Sequence, residues 1–166
     1  MNEFRTISPY ELEGNPFQMI DKQWMLVTAG NEADANTMTA SWGGLGILWR
    51  KPVSFVFIRP TRYTYDFTER EEYYSLCFFS EEYRDALRLC GTVSGRDRDK
   101  ITEAGLTLRY DAEAPYFDEA ETVMICRKMA AQDIDPAGFI DPAVEDCYNN
   151  DYHRVYTGEI IRVLTR

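Results

Sequence analysis

A mainly β domain, a barrel with α-helical excursions, is the fold class this chain predicts, and three observations carry it. Aromatic content is high, at 14% with eleven Tyr and nine Phe, and aromatic side chains suit the pleated, half-buried surface of strands. Short apolar runs recur between turn-rich segments. Helical patterns are appended singly and do not alternate strictly with strands, which argues against βαβ units and for a barrel. With 166 residues and 45% hydrophobic content, one domain spanning 1–166 is expected, large enough to bury about two thirds of the surface its unfolded form exposes.

Residues 1–14 carry no assignable period. Asn15 and Pro16 read as an N-cap and a first-turn proline, opening a brief helix to about Lys22. Trp24 to Thr28 is a nearly continuous apolar run that fits a central strand. Gly30 to Asn36 is turn chemistry, and the next strand runs from Thr37 to Trp42. Val53 to Ile58 reads as a buried strand, Tyr63 to Glu69 as a short helix, and Tyr73 to Phe79 as a strand again. From Glu81 the spacing changes, with Tyr83, Ala86, Leu87 and Cys90 on one helical face and Gly91 as the expected stop. A charged loop from Ser94 to Lys100 precedes a short helix ended by Gly105. Thr107 to Tyr110 and Glu121 to Ala131 are strands, and the segment from about Met129 to Tyr152, with its Asp-Pro steps, is an excursion. The last strand, Arg154 to Leu164, alternates Val155, Thr157, Glu159 and Ile161 with Tyr156, Gly158, Ile160 and Arg162.

Charge singles out one region. The chain has 28 Asp+Glu against 18 Lys+Arg, yet Thr37 to Tyr65 contains no carboxylate and four cations, Arg50, Lys51, Arg59 and Arg62. In proportion about five acids belong there, so the stretch is suited to an anion. Arg59-Pro60-Thr61-Arg62-Tyr63-Thr64 lies at a strand-to-helix junction, where unpaired N–H groups and the positive end of the helix dipole meet hydroxyls and guanidinium groups. That is the chemistry of a phosphate seat. Upstream, Thr39-Ala40-Ser41-Trp42-Gly43-Gly44 reads either as a strand ending in a glycine turn or as backbone that a flat ligand can approach closely. No Gly-x-Gly-x-x-Gly turn or P-loop is present.

The Asn36 to Gly46 segment, the Arg59 to Thr64 run, Ser94-Gly95-Arg96-Asp97 with Asp99-Lys100, and Tyr152-His153 ahead of Gly158-Glu159 together resemble the flavin reductase-like family of FMN-binding split β-barrels, in its flavoredoxin-type branch. The resemblance spans about Trp24 to Leu164. It implies that the backbone of Thr39, Ala40, Ser41, Trp42 and Gly43 meets an isoalloxazine ring, and that Arg59, Thr61, Arg62, Tyr63 and Thr64 hold the phosphate of FMN. It brings Ser94, Gly95 and Lys100 to the flavin as well. No catalytic acid or base is implied, and His153 falls near the flavin or its nicotinamide donor. The reaction implied is electron transfer from NADH or NADPH through FMN to a flavin, oxygen or a redox-protein partner, in a homodimer with flavin at the junction. Two other readings stay open: an electron-transfer flavoprotein that does not oxidise NAD(P)H, and a split-barrel module for another phosphorylated ligand such as a pyridoxal phosphate.

Other classes are disfavoured by composition. A formal charge of −10 opposes nucleic-acid binding. No apolar run is long enough for a membrane helix and no secretory leader is read at Met1 to Arg5, so the expected location is cytoplasmic. Cys77, Cys90, Cys126 and Cys147 are too far apart for a Cys-x-x-Cys site, and with one histidine no metal site is expected.

Overall fold

The computed structural model describes residues 3–166; Met1 and Asn2, part of the stretch read for a leader, lie outside them. Strands β1 (Arg5–Ile7), β2 (Met25–Asn31), β3 (Asp34–Ala40), β4 (Gly43–Leu48), β5 (Lys51–Ile58), β6 (Tyr73–Phe78), β9 (Thr122–Asp133) and β10 (Arg154–Thr165) make one antiparallel sheet. Its order is β3-β2-β6-β9-β10-β5-β4, with β1 also on β10. Helices α1 (Tyr63–Arg70), α2 (Arg84–Thr92) and α3 (Lys100–Glu103) and the small hairpin of β7 (Leu108–Arg109) and β8 (Tyr116–Phe117) pack around it. None of the helices described is long and apolar enough to cross a membrane.

The two ends of the sheet, β3 and β4, do not pair, yet only Ser41 and Trp42 separate them in the chain. The sheet therefore curls until its free edges meet at one corner and diverge from it. That corner is the seam of a split barrel.

Two apolar clusters explain the strand sequences. Met25, Val27, Met38, Val56, Tyr74, Leu76, Met124, Tyr156 and Val163 fill the barrel interior, with Phe67 of α1 closing one end. Leu26, Cys77, Val123 and Ile125 point the other way, beneath Leu87 and Cys90 of α2 and Phe117 of β8. β2, β6 and β9 are thus covered on both faces, which is why they read as continuous apolar runs. Inside the barrel Tyr74 Oη lies 2.7 Å from Ser54 Oγ, and Ser54 Oγ is 3.3 Å from Cys126 Sγ. Gly158 sits over that phenol, and a Cβ there would stand 2.3 Å from Tyr74 Oη.

Several sequence-based boundaries shift. Gly43 to Leu48 is a strand and not a glycine turn; a Cβ on Gly43 would meet the Phe55 carbonyl at 3.0 Å and Met25 Cε at 3.1 Å, so the glycine serves packing on β5 and β2. Gly91 does not stop its helix, which runs on to Thr92; instead it lets α2 settle on β3, where an added Cβ would be 3.2 Å from Thr39 Cβ. Met129 to Asp133 belong to β9, so the excursion is shorter than read and occupies 134–153. The alternation of β10 breaks at Ile161, where the register with β9 slips. A bulge admits one extra residue, so Ile160 and Val163, three apart, both face the interior. Around 15–23 the expected cap is present, Asn15 Oδ1 accepting from Phe17 N at 3.0 Å, but the turns widen into a π-helix over Gln18–Gln23.

Candidate functional site

Three cavities surround the seam. The smallest, about 120 Å³, lies between the start of α1 and the loop after α2, lined by Thr61, Arg62, Tyr63, Thr64, Thr92, Val93, Ser94 and Lys100. Arg62 also lines a second, of about 180 Å³, with Met38, Thr39, Ala40, Ser41, Trp42, Phe57, Arg59 and His153. Ser41, Trp42 and Phe57 are shared in turn with a largely apolar third of about 530 Å³, whose walls include Gly43, Leu45, Phe17, Ile134 and Tyr148. The three cavities therefore neighbour one another in a row, from a cationic end past the corner to an apolar chamber.

The cationic end has the properties of an anion seat. Arg62 is the N-cap residue of α1 and its side chain makes no capping bond; Tyr65 N donates to the Arg62 carbonyl at 3.0 Å, so the earlier amides, at Tyr63 and Thr64, and the dipole end are left for a ligand. The Arg62 guanidinium is half-buried and donates to the Gly91 carbonyl at 3.0 Å. Lys100, only 3% exposed, donates to the carbonyls of Cys90 at 3.1 Å and Val93 at 3.0 Å. Neither cation has a carboxylate partner among the described residues. Burial lowers the pKa of Arg62, with Arg59 pushing the same way. Burial likewise brings Lys100 down to about 8, opposed by Cys90 and assisted by Arg62. A buried and a half-buried cation held only by neutral groups are an unusual arrangement, since charge withdrawn from water is ordinarily paired. An anion in the cavity would supply the missing counter-charge.

Hydroxyls complete the lining. Thr64 Oγ1 accepts from Asn36 Nδ2 at 2.8 Å, which leaves its own proton to donate. The loop that carries Ser94 and Lys100 is seated through Gly95, where a Cβ would lie 2.1 Å from Asn36 Oδ1 and 3.2 Å from Tyr63 Cδ1. Arg96, whose guanidinium lies 4.6 Å from the Tyr63 ring centre and 2.9 Å from Asp66, latches the same loop to α1.

Arg59 behaves differently from Arg62. It faces the second cavity and is bound to the excursion, through Asp151 at 2.5 Å and the Cys147 carbonyl at 3.0 Å. Both arginines line that cavity, but Arg59 is paired with Asp151 whereas Arg62 has no carboxylate partner among the described residues. Beside it His153, 7% exposed, packs edge-on to Trp42 at 5.4 Å, Phe57 at 6.1 Å and Tyr148 at 5.3 Å. Burial and the neighbouring Arg59 lower its pKa to about 4, against Asp151, so the imidazole is neutral near pH 7.

Of the residues singled out from sequence, Thr61, Arg62, Tyr63, Thr64, Ser94 and Lys100 come together at the cationic cavity. Thr39, Ala40, Ser41, Trp42, Arg59 and His153 come together at the second. Gly43 borders the apolar chamber, and Gly95 supports the cationic cavity from behind. Asn36, Phe57 and Tyr148 were missed as site residues. Asn36 had a signal, an amide at the very start of the acid-free stretch, whereas Tyr148 reaches the site only through the turn that carries the excursion back.

A cationic pocket and an apolar chamber thus lie at the seam of a split barrel. The family model of the flavin reductase like domain matches residues 18–166, and the chain belongs to that family. Among solved structures, the FMN-binding domain of a flavin reductases-like enzyme from Shewanella baltica superposes with a TM-score of 0.72 at 15% identity, covering 99% of this chain and 78% of that one. Flavoredoxin of Desulfovibrio vulgaris gives 0.67 at 23% identity, covering 86% and 69%. The NADH:FAD oxidoreductase of Streptomyces globisporus gives 0.63 at 14%, covering 85% and 74%. Among curated proteins no sequence matches significantly.

Proposed function

We propose that the chain binds FMN across the seam and passes electrons from NADH or NADPH through it to a flavin or redox-protein acceptor. The observation that carries the reading is a pair of cations without carboxylate partners among the described residues, buried Lys100 and half-buried Arg62, facing one small cavity at the start of α1. They fit a phosphate, with the Thr64 and Ser94 hydroxyls and the α1 amides as further donors. Backbone groups from Thr39 to Gly43 orient the ring at the corner, and Trp42 and Phe57 exclude water from it. When bound, FMN supplies reversible electron and hydride chemistry, so no side chain of this chain has to make or break a bond.

Exposed Trp42, Ile47 and Trp49, at 48, 62 and 51%, with Phe17 at 83%, put apolar surface along the free edge of β4. Such a patch supports a homodimer that covers this edge and completes the cofactor groove. A second reading draws on the ties of the excursion to Arg59, which favour a tightly held cofactor and hence an electron carrier that does not oxidise NAD(P)H.

The visible spectrum of the purified protein, recorded anaerobically before and after NADH, tests both. Two flavin bands that bleach within seconds support the reductase. Bands that persist with NADH but vanish with a ferredoxin-like donor support the carrier, and a colourless protein that takes up no FMN overturns both. A single band in the pyridoxal region would instead mark another phosphorylated ligand.

A further inference from the structure

His153 is the chain's one histidine, buried where the excursion rejoins the barrel. Its Nδ1 lies 2.9 Å from Tyr148 Oη. Tyr148 is itself held firmly, with its ring stacked on Phe139 at 6.0 Å, against Tyr152 at 5.1 Å, and under the Arg59 guanidinium at 5.1 Å. Burial raises the pKa of this phenol, with Arg59 opposing, so it stays protonated near neutral pH. Among the described residues Nδ1 is the one acceptor its proton reaches. A neutral imidazole that accepts at Nδ1 must carry its own hydrogen on Nε2. Among the described residues that second nitrogen has no hydrogen-bond partner, yet it is not one of the buried polar atoms closed off without one. The ring lines the second cavity together with Trp42 and Phe57.

We propose that Tyr148 is a positioning residue that fixes the tautomer of His153, so that Nε2–H stands as a donor in the seam cavity and reads a carbonyl oxygen carried on a flat ring. This rests on the flavin reading of the seam. A neutral N–H between two aromatic side chains suits a neutral oxygen on a planar molecule. Two sources share that chemistry, a pyrimidine carbonyl of the flavin and the carboxamide of a nicotinamide donor. The excursion thereby becomes an element of specificity, acting through His153 without touching the ligand through Tyr148's hydroxyl.

With a single imidazole in the chain, [15N]histidine labelling gives one unambiguous set of long-range 1H–15N correlations. The wild-type protein without flavin is expected to show the Nε2–H tautomer at pH 7. Tyr148→Phe, which keeps the ring stack, is expected to shift population toward Nδ1–H. Tyr152→Phe, in the same cluster but bonded to Glu145, is expected to leave the wild-type pattern intact. Adding FMN moves the Hε2 resonance if the flavin carbonyl is the partner. Adding nicotinamide mononucleotide to the FMN-loaded protein moves it if the carboxamide is. An Nδ1–H tautomer or an imidazolium in the wild type, or an unchanged tautomer in Tyr148→Phe, overturns the proposal. Bound FMN, verified by its visible bands, with an Hε2 that neither addition moves overturns the carbonyl assignment alone. If FMN does not bind, the flavin reading fails and takes that assignment with it. Should Tyr148→Phe not fold, the wild-type tautomer and the two titrations still decide.

Discussion

Replacing Lys100 with Met isolates the anion seat, because the change removes a buried charge while keeping the length of the side chain. In the free protein the ammonium is solvated by only two carbonyls, those of Cys90 and Val93. Its loss relieves a desolvation penalty but leaves both carbonyls unpaired, and the two effects oppose each other, so unfolding free energy is expected to change by no more than about 1–2 kcal/mol. Binding has no such compensation. A charge-assisted hydrogen bond to phosphate contributes about 1.5–3 kcal/mol, so Lys100→Met is expected to weaken FMN binding by about 10- to 150-fold at pH 7.

The pH dependence gives the same assignment a second, independent sign. Lys100 has a pKa of about 8 in the folded chain against an ordinary value of 10.5. Between those two values the unfolded chain binds more protons than the folded one, so this group alone makes stability rise with pH across the window. FMN affinity moves the opposite way: above about pH 8 the free protein must take up a proton to bind the phosphate, and affinity falls as pH increases. Fluorescence titration of FMN at several pH values, beside urea denaturation of wild type and Lys100→Met, measures both slopes. Unchanged FMN affinity in the variant with a large loss of stability would refute the argument, making Lys100 a structural pin at the end of α2.

Two further outcomes follow from the barrel interior. Gly158→Ala would drive a methyl to within 2.3 Å of Tyr74 Oη and disrupt its bond to Ser54; a loss of about 2–4 kcal/mol in urea unfolding is expected, and a loss under about 0.5 kcal/mol would contradict the packing described. Cys77, Cys90 and Cys126 are buried and their thiols are raised to about 11, 11 and 12, chiefly by burial, while Cys147 is exposed. A disulfide reagent should therefore titrate one thiol rapidly in the native protein and four in denaturant, and a second fast thiol would show that the core opens.

The barrel was legible because its strands announce themselves by burial on both faces: Met25 to Val27 and Val123 to Cys126 have no polar side to confuse the period. The cationic cavity was legible through charge, since an acid-free stretch in an acidic chain survives any error in strand boundaries. What sequence could not give depends on partners distant in the chain. Gln132 and Asp133, beyond the strand as read, are exposed and poor strand formers, and they become strand only because the start of β10 pairs with them, Arg154 opposite Asp133 and Val155 opposite Gln132. The bulge at Ile161 is likewise invisible to a period of two. That Arg59 is paired with Asp151, ninety-two positions on, could not be read from its neighbourhood. Ser94 and Lys100 entered through the family resemblance, and the burial of Lys100 against α2 could not have been read from a charged loop.

The two-residue corner at Ser41 and Trp42 has a consequence for how such a protein can be altered. It is at once the hinge that brings the sheet's free edges together and a wall shared by two of the three cavities. Inserting even one residue there would change the width of the barrel and the shape of the pocket in the same stroke, so neither can be tuned at that point without the other. The segment 134–153 is attached quite differently, hung between two paired strands and docked by Asp151 on Arg59 and by His153 on Trp42 and Phe57. It is the natural place for grafting or redesign: a replacement of different length can reshape the mouth of the site while the frame beneath keeps its dimensions.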